Sequence, residues 1–160
     1  MGVAEALAGV QRGDTIELHI PSVLGWERAA MDLAASVATR MGFPTERIDD
    51  IKTAVSEATI NAIEHGHSMD LRRKVLIVLI PEGETLEIAV QDHSTTPFHT
   101  TPEDSPPSIE DKLAGLSNTR GWGMFLIKSL VDEVQFSSSK DGNTVRMVIH
   151  LEPLDETAAS

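Results

Sequence analysis

The spacing of apolar and polar side chains predicts a strand and then a long helix in the first quarter of the chain. Residues 15–20 alternate polar and apolar side chains, which is the pattern of a half-buried strand. Pro21 and Ser22 then offer a strand end and a helix N-cap. Over residues 23–41 apolar side chains recur at helical spacing, and residues 42–44 close the predicted helix. These apolar positions are Trp26, Ala30, Leu33, Val37 and Met41.

A second helix is predicted from an N-cap at Thr45 to about His65. Its apolar side chains follow each other at steps of three and four residues, which places them on one face. They are Ile48, Ile51, Val55, Ala58 and Ala62. Gly66 then stands where a helix-terminating glycine is expected.

Two strands and a long loop follow. Residues 74–80 are rich in β-branched side chains and predict a strand that is buried on both faces. A turn at 81–84 leads into a second strand at 85–91, so the two should form a hairpin. Residues 92–120 hold four prolines and many serines and threonines. A loop of this length in a small domain is typical of a lid.

The last part of the chain predicts a helix at 121–132 and a hairpin of strands at 134–139 and 144–151 around an Asp-Gly pair. Helices and hairpins in this order predict an α+β two-layer sandwich, with helices on one face of a mixed, mainly antiparallel sheet.

One domain accounts for most of the chain. We expect a single domain at 14–152 with its lid at about 95–118, a flexible N-terminus at 1–13 and a flexible tail at 153–160.

Composition excludes several function classes. The chain has 160 residues, no cysteine and a formal net charge of −12. Disulfide scaffolds and thiolate chemistry are therefore excluded. The excess of acids argues against direct contact with nucleic acid or with an anionic membrane. With no basic leader and no apolar run long enough to span a bilayer, we expect a cytoplasmic protein.

A polar stripe runs along the second predicted helix. Glu57, Asn61 and the pair Glu64 and His65 lie one turn apart. A solvated helix face is the ordinary interpretation of such a stripe. Asparagine, however, is a poor residue for the middle of a helix. The alternative is that Asn61 holds Mg²⁺, which needs few protein ligands, beside Glu57 as a base.

Two further segments carry candidate chemistry. Asp92 lies where the strand 85–91 enters the long loop, and its carboxylate could accept a hydrogen bond from a ligand amine; a turn-forming aspartate is the alternative. The segment Arg120-Gly121-Trp122-Gly123-Met124 opens the last helix. Glycines at a helix start let a phosphate approach backbone N–H groups.

Together these segments resemble the GHKL (Bergerat-fold) ATPases, and among them the small bacterial anti-sigma factor serine kinases. The family's N box is matched by Glu57, Asn61, Ala62, His65 and Gly66, and its second glycine box by residues 120–124. The closing run 125–134 is also very similar to the family's, and the resemblance spans about residues 14–151.

The first glycine box departs from the family pattern. The family has Asp-x-Gly-x-Gly and then an aromatic residue. Here Asp92 and the aromatic Phe98 are present, but both glycines are replaced, by Ser94 and Thr96. The added side chains narrow the expected pocket or force another loop path.

The resemblance implies a role for each matched residue. Glu57 is implied as the general base on the hydroxyl of a protein substrate, Asn61 as the Mg²⁺ ligand and Asp92 as the acceptor of the adenine amine. The remaining implied nucleotide-binding residues are His65, Phe98, Arg120 (toward the γ-phosphate), Gly121, Gly123 and Met124.

The function implied by the resemblance is an ATP- and Mg²⁺-dependent serine/threonine-protein kinase. Such kinases bind a sigma factor and phosphorylate a STAS-domain anti-sigma factor antagonist. The alternative, favoured by the replaced glycines, is a catalytically inactive module of the same fold that sequesters a partner. The oligomeric state stays open, with a homodimer among the alternatives.

Other sites are weaker hypotheses. His65 and His67 with His93 or His99 could form a transition-metal site, but scattered histidines are more often solvated. The acids of residues 103–111 do not follow the EF-hand spacing. We expect Trp26 and Trp122 to be packing residues rather than stacking platforms for a ligand.

Overall fold

A computed structural model describes residues 14–66, 72–94 and 119–151 of the chain. Its elements follow the predicted order of strands and helices. The strands are β1 (Ile16–Pro21), β2 (Lys74–Glu82), β3 (Thr85–Gln91), β4 (Glu133–Ser139) and β5 (Gly142–His150). The helices are α1 (Glu27–Met41), α2 (Thr45–Asn61) and α3 (Thr119–Leu130). A π-helical turn, Ala62–Gly66, extends α2.

The described strands form one five-stranded sheet in the order β1-β2-β3-β5-β4. Every pairing in it is antiparallel. The described sheet is therefore antiparallel throughout, rather than mixed and mainly antiparallel as predicted. Alternate side chains of the sheet share one hydrophobic core with the helices. The α+β two-layer prediction is therefore confirmed. The predicted lid and both predicted flexible termini lie outside the described residues.

Helix α1 begins later than predicted. The apolar spacing placed its start near Val23, but α1 starts at Glu27 after a turn in which Gly25 has φ +108°. Ser22 is not its N-cap, because its hydroxyl donates instead to the carbonyl of Arg73 at 2.5 Å. Trp26 is 50% exposed, so its prediction as a packing residue is wrong.

Helix α2 packs on the face that its spacing predicted. Ile51, Val55 and Ala58 are buried in the core, and Ala62 just beyond the helix joins them. Thr45 is the first helical residue rather than the N-cap, and Pro44 precedes it in an extended conformation. The helix does not run on regularly to residue 65, because it changes to π geometry after Asn61.

The hairpins are tighter than predicted. Strand β2 continues through Pro81 and Glu82, which leaves a two-residue turn at 83–84. Strand β5 begins at Gly142 rather than at Thr144. Helix α3 begins and ends two residues earlier than the spacing indicated, and Trp122 packs edge-on against Phe125 with ring centroids 6.2 Å apart.

The sheet face away from the helices is also buried at its centre. Val78, Ile80 and Ala89 form a second, small apolar cluster there. Beside it the buried carboxylate of Glu87 pairs with Arg146. The prediction that β2 is buried on both faces is therefore confirmed. Within the described ranges, no helix is long and apolar enough to cross a membrane.

Candidate functional site

Helix α3 crosses α2 at the polar stripe. A Cβ atom placed on Gly123 would lie 2.9 Å from Nδ2 of Asn61 and 3.0 Å from Oε2 of Glu57. Real Cβ atoms essentially never approach other atoms within 3.0 Å. A side chain at position 123 would have to push the tips of these two polar side chains aside, so the glycine permits the closest approach of α3 to α2.

Asn61 is not part of a solvated helix face. It is the last residue of α2 before the π-helical turn, and it is only 7% exposed. Glu57, one turn earlier, is half-buried. Single π-helical turns in proteins occur frequently at functional sites. Glu57 and Asn61 are therefore a partly enclosed pair of oxygen-bearing groups rather than a solvated face, whereas Glu64 in the next turn is exposed.

Asp92 lies at the end of β3 with its carboxylate turned inward. The residue is 3% exposed, and Oδ1 accepts hydrogen bonds from the backbone N–H of Ser94 at 2.8 Å and of Asn143 at 3.1 Å. Both hydrogen bonds that the described part of the chain makes to this carboxylate end on Oδ1. Oδ2 therefore remains available to a ligand. Asp92 also forms a local turn, so the two sequence interpretations of this residue are compatible.

Gly142 and Asn143 contribute to the site, although their local sequence predicts only a hairpin turn. Gly142 has φ +146°, and a Cβ atom there would overlap the backbone carbonyl of Asp92. The N–H of Asp92 donates to the carbonyl of Asn143 at 3.0 Å. The start of β5 thus fixes the end of β3. No local signal reports a contact between positions that are 51 residues apart.

A small pocket lies between Asn61, Asp92 and Asn143. Its walls come from α2, the end of β3 and the start of β5. They are Ala58, Asn61, Ala62, Val90, Asp92, Asn143 and Val145. Apolar side chains therefore form its sides, while a carboxylate and two carboxamides supply its polar groups. This composition suits the polar edge of a ligand, although the pocket as it stands has space for little more than a water molecule, so a nucleotide base would need its walls to move apart.

For most of the other predicted site residues the structure describes only the backbone, or nothing at all. The backbone of His65 lies in the π-helical turn, and those of Arg120 and Gly121 lie in the first turn of α3. Met124 is half-buried next to Gly123. Phe98 lies outside the described residues, as do His67 and His99 of the weaker metal hypothesis. Among the described residues no cluster of three or more histidines or acids could hold a metal ion.

The donor groups present fit the Mg²⁺-nucleotide that the resemblance implies. The amide oxygen of Asn61 is a hard oxygen donor, and Mg²⁺ needs few protein ligands because water and phosphate supply the others. Gly123 is buried and is the fifth residue of α3, so the four N–H groups that a helix start can offer to a phosphate belong to residues 119–122 rather than to Gly123. At the far side of the pocket, Oδ2 of Asp92 offers an acceptor for an amine.

Comparisons with known proteins concern the fold and the family of the chain. Residues 20–149 match the family model of the histidine kinase-like ATPase domain. The chain is 30% identical over 139 residues to the serine-protein kinase RsbW of Bacillus subtilis (strain 168), with 86% of each chain covered. It is 29% identical over 136 residues to the serine-protein kinase RsbW of Oceanobacillus iheyensis, covering 78% of this chain and 80% of that protein.

A solved structure has the same fold. The crystal structure of the RsbU and RsbW domains of Rv1364c from Mycobacterium tuberculosis superimposes with a TM-score of 0.63 at 18% identity. The match covers 88% of this chain but only 34% of that longer protein. The predicted Bergerat-type fold and the prediction of an ATP-dependent serine/threonine-protein kinase are confirmed by these comparisons. The chain belongs to the histidine kinase-like ATPase domain family.

Proposed function

We propose that this chain is an anti-sigma regulatory kinase that binds ATP with Mg²⁺, sequesters a sigma factor and phosphorylates a serine or threonine of a STAS-domain antagonist. One observation carries the proposal. Gly123 of α3 packs directly against Glu57 and Asn61 of α2. Three residues that the sequence predicts to belong to the site therefore lie together. Asn61 also lines the pocket that holds Asp92.

Each group has a role that its surroundings support. Asp92 accepts the exocyclic amine of adenine on Oδ2, because Oδ1 is already engaged by two backbone N–H groups. Asn61 holds Mg²⁺, which neutralises phosphate charge when it is bound. The first turn of α3, which holds the backbone of Arg120 and Gly121, faces the phosphates in this proposal.

Glu57 is the base in this proposal. It lies one turn before Asn61 and is half-buried, so solvent surrounds it only in part. Its carboxylate takes the proton of the substrate hydroxyl while the oxygen forms a bond to the γ-phosphorus and ADP leaves. Positioning and charge neutralisation supply the rest of the rate, as is general for phosphoryl transfer.

The test is radiolabelled phosphate transfer from ATP to a STAS-domain protein encoded in the same operon. Glu57→Gln keeps the shape of the side chain but removes its basicity, so the transfer rate should fall roughly 10²–10⁴-fold with nucleotide affinity nearly unchanged. Glu46→Gln is the matched control, because Glu46 is exposed on the first turn of the same helix. The control should transfer phosphate like the wild type.

One observation favours the second candidate, an inactive sequestering module. Ser94, which replaces the family's first glycine, is itself buried next to Asp92. In that case the wild type would bind the sigma factor and the antagonist in a pull-down but would transfer no phosphate to the antagonist. That result would reject the kinase proposal and leave the binding module.

A further inference from the structure

We propose that Arg73 is a positioning residue for Asp92, whose carboxylate accepts the adenine amine in the proposed function. Arg73 holds the loop after Asp92, in which Ser94 and Thr96 replace the two glycines of the family. The inference rests on the proposed role of Asp92 as the acceptor of the adenine amine. It adds a residue that helps this site to prefer adenine nucleotides over nucleotides without the amine.

The contact is to the turn at the beginning of the altered loop. Nη1 of Arg73 donates to the backbone carbonyl of His93 at 2.8 Å. His93 lies between Asp92 and Ser94, and the N–H of Ser94 donates to Oδ1 of Asp92 at 2.8 Å. The guanidinium therefore holds the central peptide of the turn that orients the carboxylate.

Arg73 is itself anchored at its backbone. Its carbonyl accepts the hydroxyl of Ser22, which is fully buried, at 2.5 Å. The next residue, Lys74, begins β2 and pairs with Pro21 at the end of β1. The guanidinium thus extends from a fixed point on the sheet to the loop after β3, and it restrains that loop from the side opposite to β5.

Two restraints therefore act on one carboxylate. On one side the N–H of Asn143 fixes Oδ1 of Asp92 to β5. On the other side the turn at Ser94 fixes the same oxygen, and Arg73 fixes the turn. Removing the guanidinium leaves the first restraint intact, so the pocket should persist while the carboxylate loses part of its orientation.

Base preference reports on that orientation. ADP presents an amine where IDP presents a carbonyl oxygen, so a well-placed carboxylate gains a hydrogen bond from ADP and opposes IDP. A loosely placed carboxylate discriminates less. The ratio of the two dissociation constants is therefore sensitive to the position of Asp92, whereas a general loss of stability weakens the binding of both nucleotides together.

The experiment measures the Kd of Mg²⁺-ADP and of Mg²⁺-IDP by calorimetry, with thermal unfolding recorded for each variant. For Arg73→Gln we expect the preference for ADP to fall about fivefold, the effect of one typical hydrogen bond. Arg73→Lys should recover part of it, because an ammonium group can also donate to a carbonyl. Arg40→Gln, which removes the same charge at the exposed last turn of α1, should leave the ratio unchanged.

The outcomes separate this inference from the proposed function. Equal weakening of both nucleotides in Arg73→Gln, or an unchanged ratio, overturns the role of Arg73. If Asp92→Asn removes the preference while Arg73→Gln keeps it, the proposed function stands and the inference fails. A wild type that binds neither nucleotide, or that shows no preference for ADP, overturns both.

Discussion

Gly123 lets α3 approach α2 at the candidate site without a side chain of its own between the two helices. In Gly123→Ala the new Cβ would press on the tips of Asn61 and Glu57. These tips can move, so we expect a stability loss of only about 1 kcal/mol. Their displacement should nevertheless weaken Mg²⁺-ADP binding at least about tenfold, a loss of roughly 1.4 kcal/mol. Calorimetric titration and urea unfolding measure the two effects, with the exposed Ser129→Ala on the same helix as control.

Asn61 gives a second prediction at the scale of single residues. If its amide oxygen holds Mg²⁺, Asn61→Ala should abolish the Mg²⁺-dependent part of ADP binding while the circular dichroism spectrum stays that of the wild type. Titrations with Mg²⁺ and with EDTA isolate that part. Equal Mg²⁺ dependence in the wild type and the variant would remove Asn61 from the metal site.

Single residues also show how far the sequence could predict the site. Asn61 is a candidate from sequence because asparagine disfavours helix interiors. In the structure it is buried, which a solvated helix face would not require. Asn143 gave no such signal, because an asparagine after an Asp-Gly pair is ordinary turn chemistry. Its contact with Asp92 depends on strand register, and register is a property of the folded sheet.

At the scale of elements, the β4–β5 hairpin and the end of β3 are interlocked at Gly142. The residue has φ +146°, and a Cβ there would overlap the carbonyl of Asp92, which is rigid backbone. Gly142→Ala should therefore destabilise the protein by about 2–4 kcal/mol. Gly83 is a matched control, because it also has a positive φ (+58°) in a hairpin turn but would meet nothing within 4 Å.

The control should cost less than the test variant. Gly83→Ala carries only the backbone penalty of about 1–2 kcal/mol for a left-handed conformation. Urea unfolding of the two variants therefore separates the steric contact with Asp92 from the conformational preference. Equal losses would show that the close approach of Gly142 to Asp92 contributes nothing.

Element boundaries were predictable where periodicity alone decides them. Strand β3 and the buried face of α2 follow directly from the spacing of apolar side chains. The start of α1 does not, because Val23 and Trp26 fit the helical period but lie exposed in the preceding turn. Serine is a common N-cap residue, but the hydroxyl of Ser22 donates its hydrogen bond to the carbonyl of Arg73, which is distant in sequence.

At the scale of the whole molecule, Arg47 joins the two helices of the site to the far edge of the sheet. From the start of α2 its guanidinium donates to the carbonyl of Leu130 at 3.0 Å and to Oδ2 of Asp132 at 2.9 Å. The same oxygen of Asp132 accepts the N–H of His150 at 2.7 Å. Neither this link nor the strand order, in which β5 lies between β3 and β4, follows from local pattern.

Replacing Arg47 tests whether this link stabilises the fold. Arg47→Met keeps most of the aliphatic stem and removes every donor. The carbonyl of Leu130 and the carboxylate of Asp132 then lose a charged partner, as does the carboxylate of Asp50 at 3.4 Å. The Arg47 side chain is 23% exposed, and solvent screening limits the expected loss of unfolding free energy to about 1–2 kcal/mol. Arg40→Met, at an exposed position on α1, should change stability by less than about 0.5 kcal/mol.

A double-mutant cycle with Asp132→Asn separates the ion pair from the bond to Leu130. Because the two side chains are in contact, the cycle should give a coupling energy of about 0.5–1 kcal/mol. High salt should reduce the ion-pair part and leave the hydrogen bond to the Leu130 carbonyl, so roughly half of the Arg47→Met loss should persist at 1 M NaCl. An Arg47→Met protein as stable as the wild type at low salt would mean that apolar packing alone holds α3 against α2. Gly123 would then lie against Asn61 without help from this link.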